Sequence, residues 1–276
     1  ENNTYATYDY TIYQLHRPLN PGDSIKMNFK QSFTTNGFEA GNSNANILEN
    51  GTFFNNKDFP TLGYNRKYEL SDTDERSEYN LPERTNRANR NDVKELMNAR
   101  SGSDSDGINF EMVIGTEIDQ TALVPGNLLK EWTENNRNYF HYKMEIPMID
   151  FYSIVSARFD IKKDKWISKS NSISKQVDLE IYYHKGHDYN IDRMMTSMKA
   201  SLDYYSTNFS PYQYEQLRIM EFPRYAQFAQ SFPGTVPFSE SIGFVLDIDD
   251  ETDVDMAFYV TAHEIAHLWF AMQVEA

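Results

Sequence analysis

The sequence predicts an α+β fold in which an antiparallel β sandwich or saddle comes first and a more helical region follows. Three observations carry this. Apolar residues recur with period two at intervals from residue 5 to about residue 185. After Gly186 the period changes to 3.6, and residues 254–274 form an apolar helical stretch that holds His263-Glu264-Ile265-Ala266-His267. The change of period sets the expected division: a β-rich domain over 1–186 and a second domain beginning within 187–276.

In chain order, Ile25, Met27 and Phe29 alternate with polar residues after the turn Pro21-Gly22-Asp23 and predict a half-buried strand. Residues 110–114, 139–144 and 157–161 repeat the pattern, as do Val177, Leu179, Ile181 and Tyr183, with Pro125-Gly126 and Pro147 punctuating the intervals. Two short helices are expected at about 82–90 and 92–100. The second is stopped by Ser101-Gly102-Ser103-Asp104-Ser105-Asp106-Gly107, an acidic solvated loop without the remaining ligands of a calcium-binding loop.

In the second region Ile191, Met194, Met195, Met198, Leu202 and Tyr205 mark a helix that Asn190 is placed to cap, its methionines read as flexible core packing. His184-Lys185-Gly186-His187 puts two imidazoles three apart, but no carboxylate or third histidine stands at ligand spacing, so the segment reads as a junction turn. Residues 217–222 and 244–248 read as strands. Thr252 with Asp255 three positions on reads as a capping box opening the last helix.

That helix holds the chemistry. Positions i and i+4 share a helix face, so His263 and His267 can turn ring nitrogens toward one metal ion while Glu264 stands beside them. A metal there lowers the pKa of a bound water to roughly 7, and a carboxylate one residue after the first ligand can take the proton as the water attacks a carbonyl. The expected reaction is peptide-bond hydrolysis, with zinc as cofactor, His263 and His267 as metal ligands and Glu264 as general base. The stretch is apolar nearly all round and is expected to be buried, where unpaired imidazoles and a carboxylate would be costly and a metal satisfies them together.

Composition bounds the partners. At 276 residues, 39% hydrophobic and 14% aromatic, the chain has ample material for packed cores. With 41 acidic against 26 basic residues it carries a formal charge of −15, which repels nucleic acid and anionic membrane surfaces. It has no cysteine, so no thiolate holds the metal and no disulfide reports a compartment.

The motif and the order of parts resemble the zinc aminopeptidases of the aminopeptidase N type, within the gluzincins. The resemblance is closest over 260–270, where the family commonly has Ala-His-Glu-Leu-Ala-His-Gln-Trp-Phe; here Leu268 replaces the Gln. It implies a β-rich N-terminal domain followed by the opening of a thermolysin-like catalytic domain. The family's Gly-x-Met-Glu-Asn loop is represented by Pro237-Phe238-Ser239-Glu240-Ser241, in which only the Glu matches, so Glu240 is the implied binder of a substrate's free α-amine. More narrowly, 50–54 and 232–240 look like the peptidase-like domains attached to some bacterial ABC-transporter permeases, which implies a place outside the cytoplasm and leaves room for a membrane anchor in the parent protein.

In the family the third zinc ligand is a Glu on the following helix, roughly one and a half dozen residues past the second His. Glu275 lies about 12 Å along the same helix from the histidines and is out of reach. The expectation is therefore a truncated piece of a longer peptidase, its third ligand downstream, inactive and weak in zinc as it stands. The outward faces of Trp269, Phe270 and Met272 are expected to drive self-association through the C-terminal helix. The alternative is a non-catalytic domain that binds peptides or a transporter's cargo.

Overall fold

A computed structural model describes residues 2–5, 10–35, 46–49, 51–61, 69–84, 89, 91–93, 107–168, 175–224 and 226–273. The chain divides into two compact units, residues 1–34 with 64–96, and residues 35–63 with 97–276. The fold is α+β.

In the first unit, β1 (Asn2–Tyr5) pairs antiparallel with β2 (Tyr10–Tyr13), Asn2 opposite Tyr13. Helix α1 (Thr73–Glu78) starts at Asp72, whose carboxylate accepts the backbone N–H groups of Asp74 and Glu75 at 3.0 Å. Its buried Arg76 donates to Glu69 at 3.1 Å and to the carbonyls of Leu70 and Pro82. The strand expected around Ile25, Met27 and Phe29 does not form: all three are exposed and the segment has no ladder partner among the described residues. Alternation specifies a strand only where a neighbour takes its hydrogen bonds and a core takes its apolar face. Residues 81–84 are irregular rather than helical, and most of the expected helix at 92–100 and the acidic loop at 101–106 lie outside the described residues.

Among its described residues the second unit contains three sheets. β3 (Ile47–Leu48), β4 (Gly51–Asn55), β6 (Thr121–Leu123) and β9 (Ser153–Ala157) form a sheet in the order β3-β4-β9-β6. β5 (Glu111–Glu117), β7 (Asn127–Glu134) and β8 (Arg137–Lys143) form an antiparallel one, β5-β8-β7. The third joins β10 (Phe159–Ile167), β11 (Gln176–His184), β12 (Gln216–Phe222) and β13 (Thr235–Ser239) in sequence order. The described ladders within the β-rich part are antiparallel, as the sequence suggested, and parallel pairing begins where β12 and β13 of the second region join β11. β12 and β13 are buried at every position, as a parallel sheet covered on both faces requires.

The crossover from β11 to β12 is helix α2 (Ile191–Asn208), which buries Ile191, Met194, Met195, Met198 and Leu202 as its periodicity predicts. Asn190 stands at its N-cap position but makes no side-chain cap bond; its amide donates instead to the carbonyls of Gly243 and Leu246. That pins the loop after β13, where residues 244–248 form turn and coil rather than the expected strand. The last helix, α3 (Met256–His267), begins at Asp255, whose side chain accepts from Phe258 N–H at 2.9 Å. Asp255 is thus the cap itself, not the third residue of a box opened by Thr252.

Candidate metal centre

α3 packs along α2. Ser197 Oγ donates to the carbonyl of Phe258 at 2.8 Å, and Arg193 pairs with Asp255 at 2.9 Å and with Asp250. Ala257, Thr261, Glu264, Ile265 and Leu268 are buried, a spacing that marks one face of a helix. Met256, Tyr259 and His263 are exposed on the other side, so the helix is buried on one face and not all round. After α3 the chain turns, and Trp269 is locked in place: it is 2% exposed, donates Nε1–H to the carbonyl of Ser210 at 2.8 Å, and tilts against Tyr205 and Tyr212 at 5.2 and 5.6 Å. Of the residues expected to face outward, Phe270 is exposed at 48% and Trp269 is not.

This packing sets the three chemical residues at different depths. Glu264 is 6% exposed on the buried face, and its backbone carbonyl accepts the Ser231 hydroxyl. His263 is exposed and His267 half-buried. Their Nε2 atoms stand 3.2 Å apart with the rings nearly perpendicular, at 89°. Two nitrogens at zinc–nitrogen distance in a tetrahedral site would be about 3.4 Å apart, so the pair has the spacing of two ligands of one ion. Among the described residues no third His, Cys, Asp or Glu joins them at ligand distance.

Glu240 opens a single 3₁₀ turn, Glu240–Ile242, directly after β13, and its Oε1 accepts the backbone N–H of Arg224 at 2.9 Å. Its carboxylate lies with His184, His187 and Glu221, all four offering ligand atoms within 4.8 Å of one another. The turn at residues 184–187 forms as expected, His187 N–H bonding to the His184 carbonyl at 2.9 Å. Its lack of nearby carboxylates is corrected: Glu221 reaches it from β12, the neighbouring parallel strand. Sequence spacing could not find this group, since its members are brought together by three separate strand ends.

No family profile and no curated protein matches the chain. Solved structures similar to it include an aminopeptidase and an M1 zinc metallopeptidase. Aminopeptidase A of Legionella pneumophila, solved with aspartic acid, is 17% identical, with 66% of this chain and 22% of that one covered and a TM-score of 0.53. The M1 zinc metallopeptidase of Deinococcus radiodurans is 15% identical, with 62% and 35% covered and a TM-score of 0.47. This chain thus spans about a fifth of the Legionella protein and about a third of the Deinococcus one. The likeness to the Legionella enzyme is one of fold.

Proposed function

We propose that this chain carries the opening of a zinc metallopeptidase site, of aminopeptidase type, with His263 and His267 as metal ligands and Glu264 as general base. The observation that carries the reading is the 3.2 Å separation of the two Nε2 atoms on a helix whose intervening Glu264 is buried. Zinc, when bound, would supply the Lewis acidity that makes a water nucleophilic near neutral pH. Glu264 would take a proton from that water as it attacks the peptide carbonyl, then return it to the departing amine, so the proton balance closes on one carboxylate. Burial of Glu264 keeps bulk water from competing for that proton.

In this reading residues 187–276 open the catalytic domain, and the third ligand is a glutamate supplied from beyond Ala276, as the resemblance implies. A location outside the cytoplasm rests on the likeness of 50–54 and 232–240 to transporter-associated domains; among the described residues no helix is long and apolar enough to cross a membrane. A non-catalytic peptide-binding domain is the second reading. It is favoured by Glu240, the one matching residue of its loop, which lies among histidines.

Aminoacyl reporter hydrolysis by a form extended past Ala276 distinguishes the two. Turnover that a chelator abolishes and zinc restores is expected. Binding of peptides without turnover, at full zinc occupancy, would establish the second reading.

A further inference from the structure

We propose that His184, His187, Glu221 and Glu240 form a second divalent-metal site, separate from the His263–His267 pair. Each residue sits at or just past the carboxyl end of one of three adjacent parallel strands: His184 ends β11 and His187 closes the turn after it, Glu221 stands one residue before the end of β12, and Glu240 follows β13. The carboxyl ends of parallel strands are where side chains from successive strands can converge on one ligand.

The donor set is balanced. Two neutral imidazoles and two carboxylates cancel the charge of one divalent ion, and nitrogen with oxygen donors suits zinc, with manganese or iron next. Glu221 has a fully buried side chain, which requires compensation for its charge. His187 Nδ1 lies 2.5 Å from Glu221 Oε1, and Glu240 brings a second carboxylate into the same space. His184 Nδ1 lies 3.3 Å from the same Oε1. The 3.3 Å separation is close to the roughly 3.4 Å expected between ligands of a tetrahedral zinc, the 2.5 Å contact is a hydrogen bond that an entering ion would replace by spreading the two atoms, and all four ligand atoms lie within 4.8 Å of one another.

The surroundings already orient each ligand. Glu221 Oε2 accepts the backbone N–H of His184 at 2.5 Å, which turns Oε1 toward the two imidazoles. Glu240 Oε1 accepts from Arg224 N–H, which leaves its Oε2. The His184 ring stacks on Phe159 at 5.5 Å and 24°, fixing its plane, and His187 stands perpendicular to it. Such outer contacts hold ligands in coordinating geometry before the ion arrives. The ion would tie the ends of β11, β12 and β13 together and fix the turn that carries Glu240. Glu240 is thereby given a metal-binding duty in place of the amine-binding one that its position before the metal helix suggests.

Cobalt(II) titration of this chain, followed by the visible absorption of the tetrahedral ion and by equilibrium dialysis, tests the site. We expect one cobalt per chain, retained when His263 and His267 are both replaced by Ala. His187→Ala should weaken binding by more than about 100-fold, beyond the 10–100-fold typical of losing an outer partner. Glu240→Gln, on a half-exposed turn that tolerates substitution, should weaken it at least tenfold with an unchanged far-ultraviolet circular dichroism spectrum. The site is overturned if the wild-type chain takes up no cobalt, if folded Glu240→Gln and His187→Ala bind as wild type does, or if the loss follows the His263 and His267 replacements instead. That last pattern would leave the peptidase reading standing and remove only this one.

Discussion

Arg218 on β12 donates through Nε to Glu180 Oε2 on β11 at 2.8 Å, while its Nη1 bonds the carbonyl of Gly126 at 2.8 Å and its guanidinium lies 5.5 Å from the Tyr142 ring centre. One buried cation thus joins the parallel sheet to the loop between β6 and β7 and to β8. Arg218 is 6% exposed, so replacing it by Met takes the buried cation from a mostly buried carboxylate, leaves that carboxylate only Lys163 and Tyr182, and removes the donor to the Gly126 carbonyl. The loss should be about 3–5 kcal/mol in urea unfolding. A loss under about 1 kcal/mol would show that water reaches this pair.

The same pair sets a pH dependence. Burial pushes the Glu180 carboxyl upward, but hydrogen bonds from Lys163, Arg218 and Tyr182 and the Arg218 charge outweigh it and hold the group below the ordinary carboxylate range. Because the folded state favours the ionised form, this stabilisation is present above that range and lost as pH falls through the lowered value. Glu180→Gln should therefore flatten the acid limb of a stability–pH curve. An unchanged acid limb would contradict the assignment.

Gly126 is held at φ +98°, and a Cβ there would come within 2.5 Å of the Lys143 carbonyl. The clash is with backbone, which cannot swing aside. Gly126→Ala should destabilise the fold by about 1–3 kcal/mol and disturb the carbonyl that Arg218 uses. Thermal unfolding checks it, and an unaltered midpoint would refute it.

Phe209, Phe270 and Tyr204 form an exposed aromatic group, with Phe209 and Phe270 edge to face at 4.9 Å. Exposed apolar groups of this kind mark contact sites. The chain should self-associate, and Phe270→Glu should shift light scattering toward monomer. A wild-type chain that is already a monodisperse monomer at high concentration would remove the prediction.

How far the sequence could be read depended on where the controlling contacts lie. The 3.6-residue period of α2 and the spacing of His263, Glu264 and His267 are local, and the structure places them on helices as spacing implies. Exposure is not local. α3 is apolar on nearly every side, yet only one face finds a covering surface, and Ile25, Met27 and Phe29 alternate with no ladder beside them. Asn190 is placed to cap α2, but the carbonyls of Gly243 and Leu246, more than fifty residues away, take its amide. The parallel order of β11, β12 and β13 depends on the crossover through α2, and that order gathers His184, His187, Glu221 and Glu240, which no spacing rule links.

Trp269 follows the same logic. Its ring fills the space between Tyr205 and Tyr212 and its N–H satisfies the Ser210 carbonyl, so it anchors the chain after the metal helix. Trp269→Ala should cost about 3–5 kcal/mol, and Trp269→Phe less, since Phe restores the packing but leaves the carbonyl unpaired. Equal losses would mean that the hydrogen bond contributes nothing.

Glu264→Gln is the most direct measurement of the central claim, made in a form extended past Ala276 with metal content and aminoacyl reporter hydrolysis read on the same sample. Glutamine preserves shape and removes the proton acceptor. The account predicts zinc content equal to wild type and hydrolysis reduced by at least about a hundredfold, the size of a general-base contribution. Zinc retained with near wild-type hydrolysis would contradict it, because the proton would then be going to some other group.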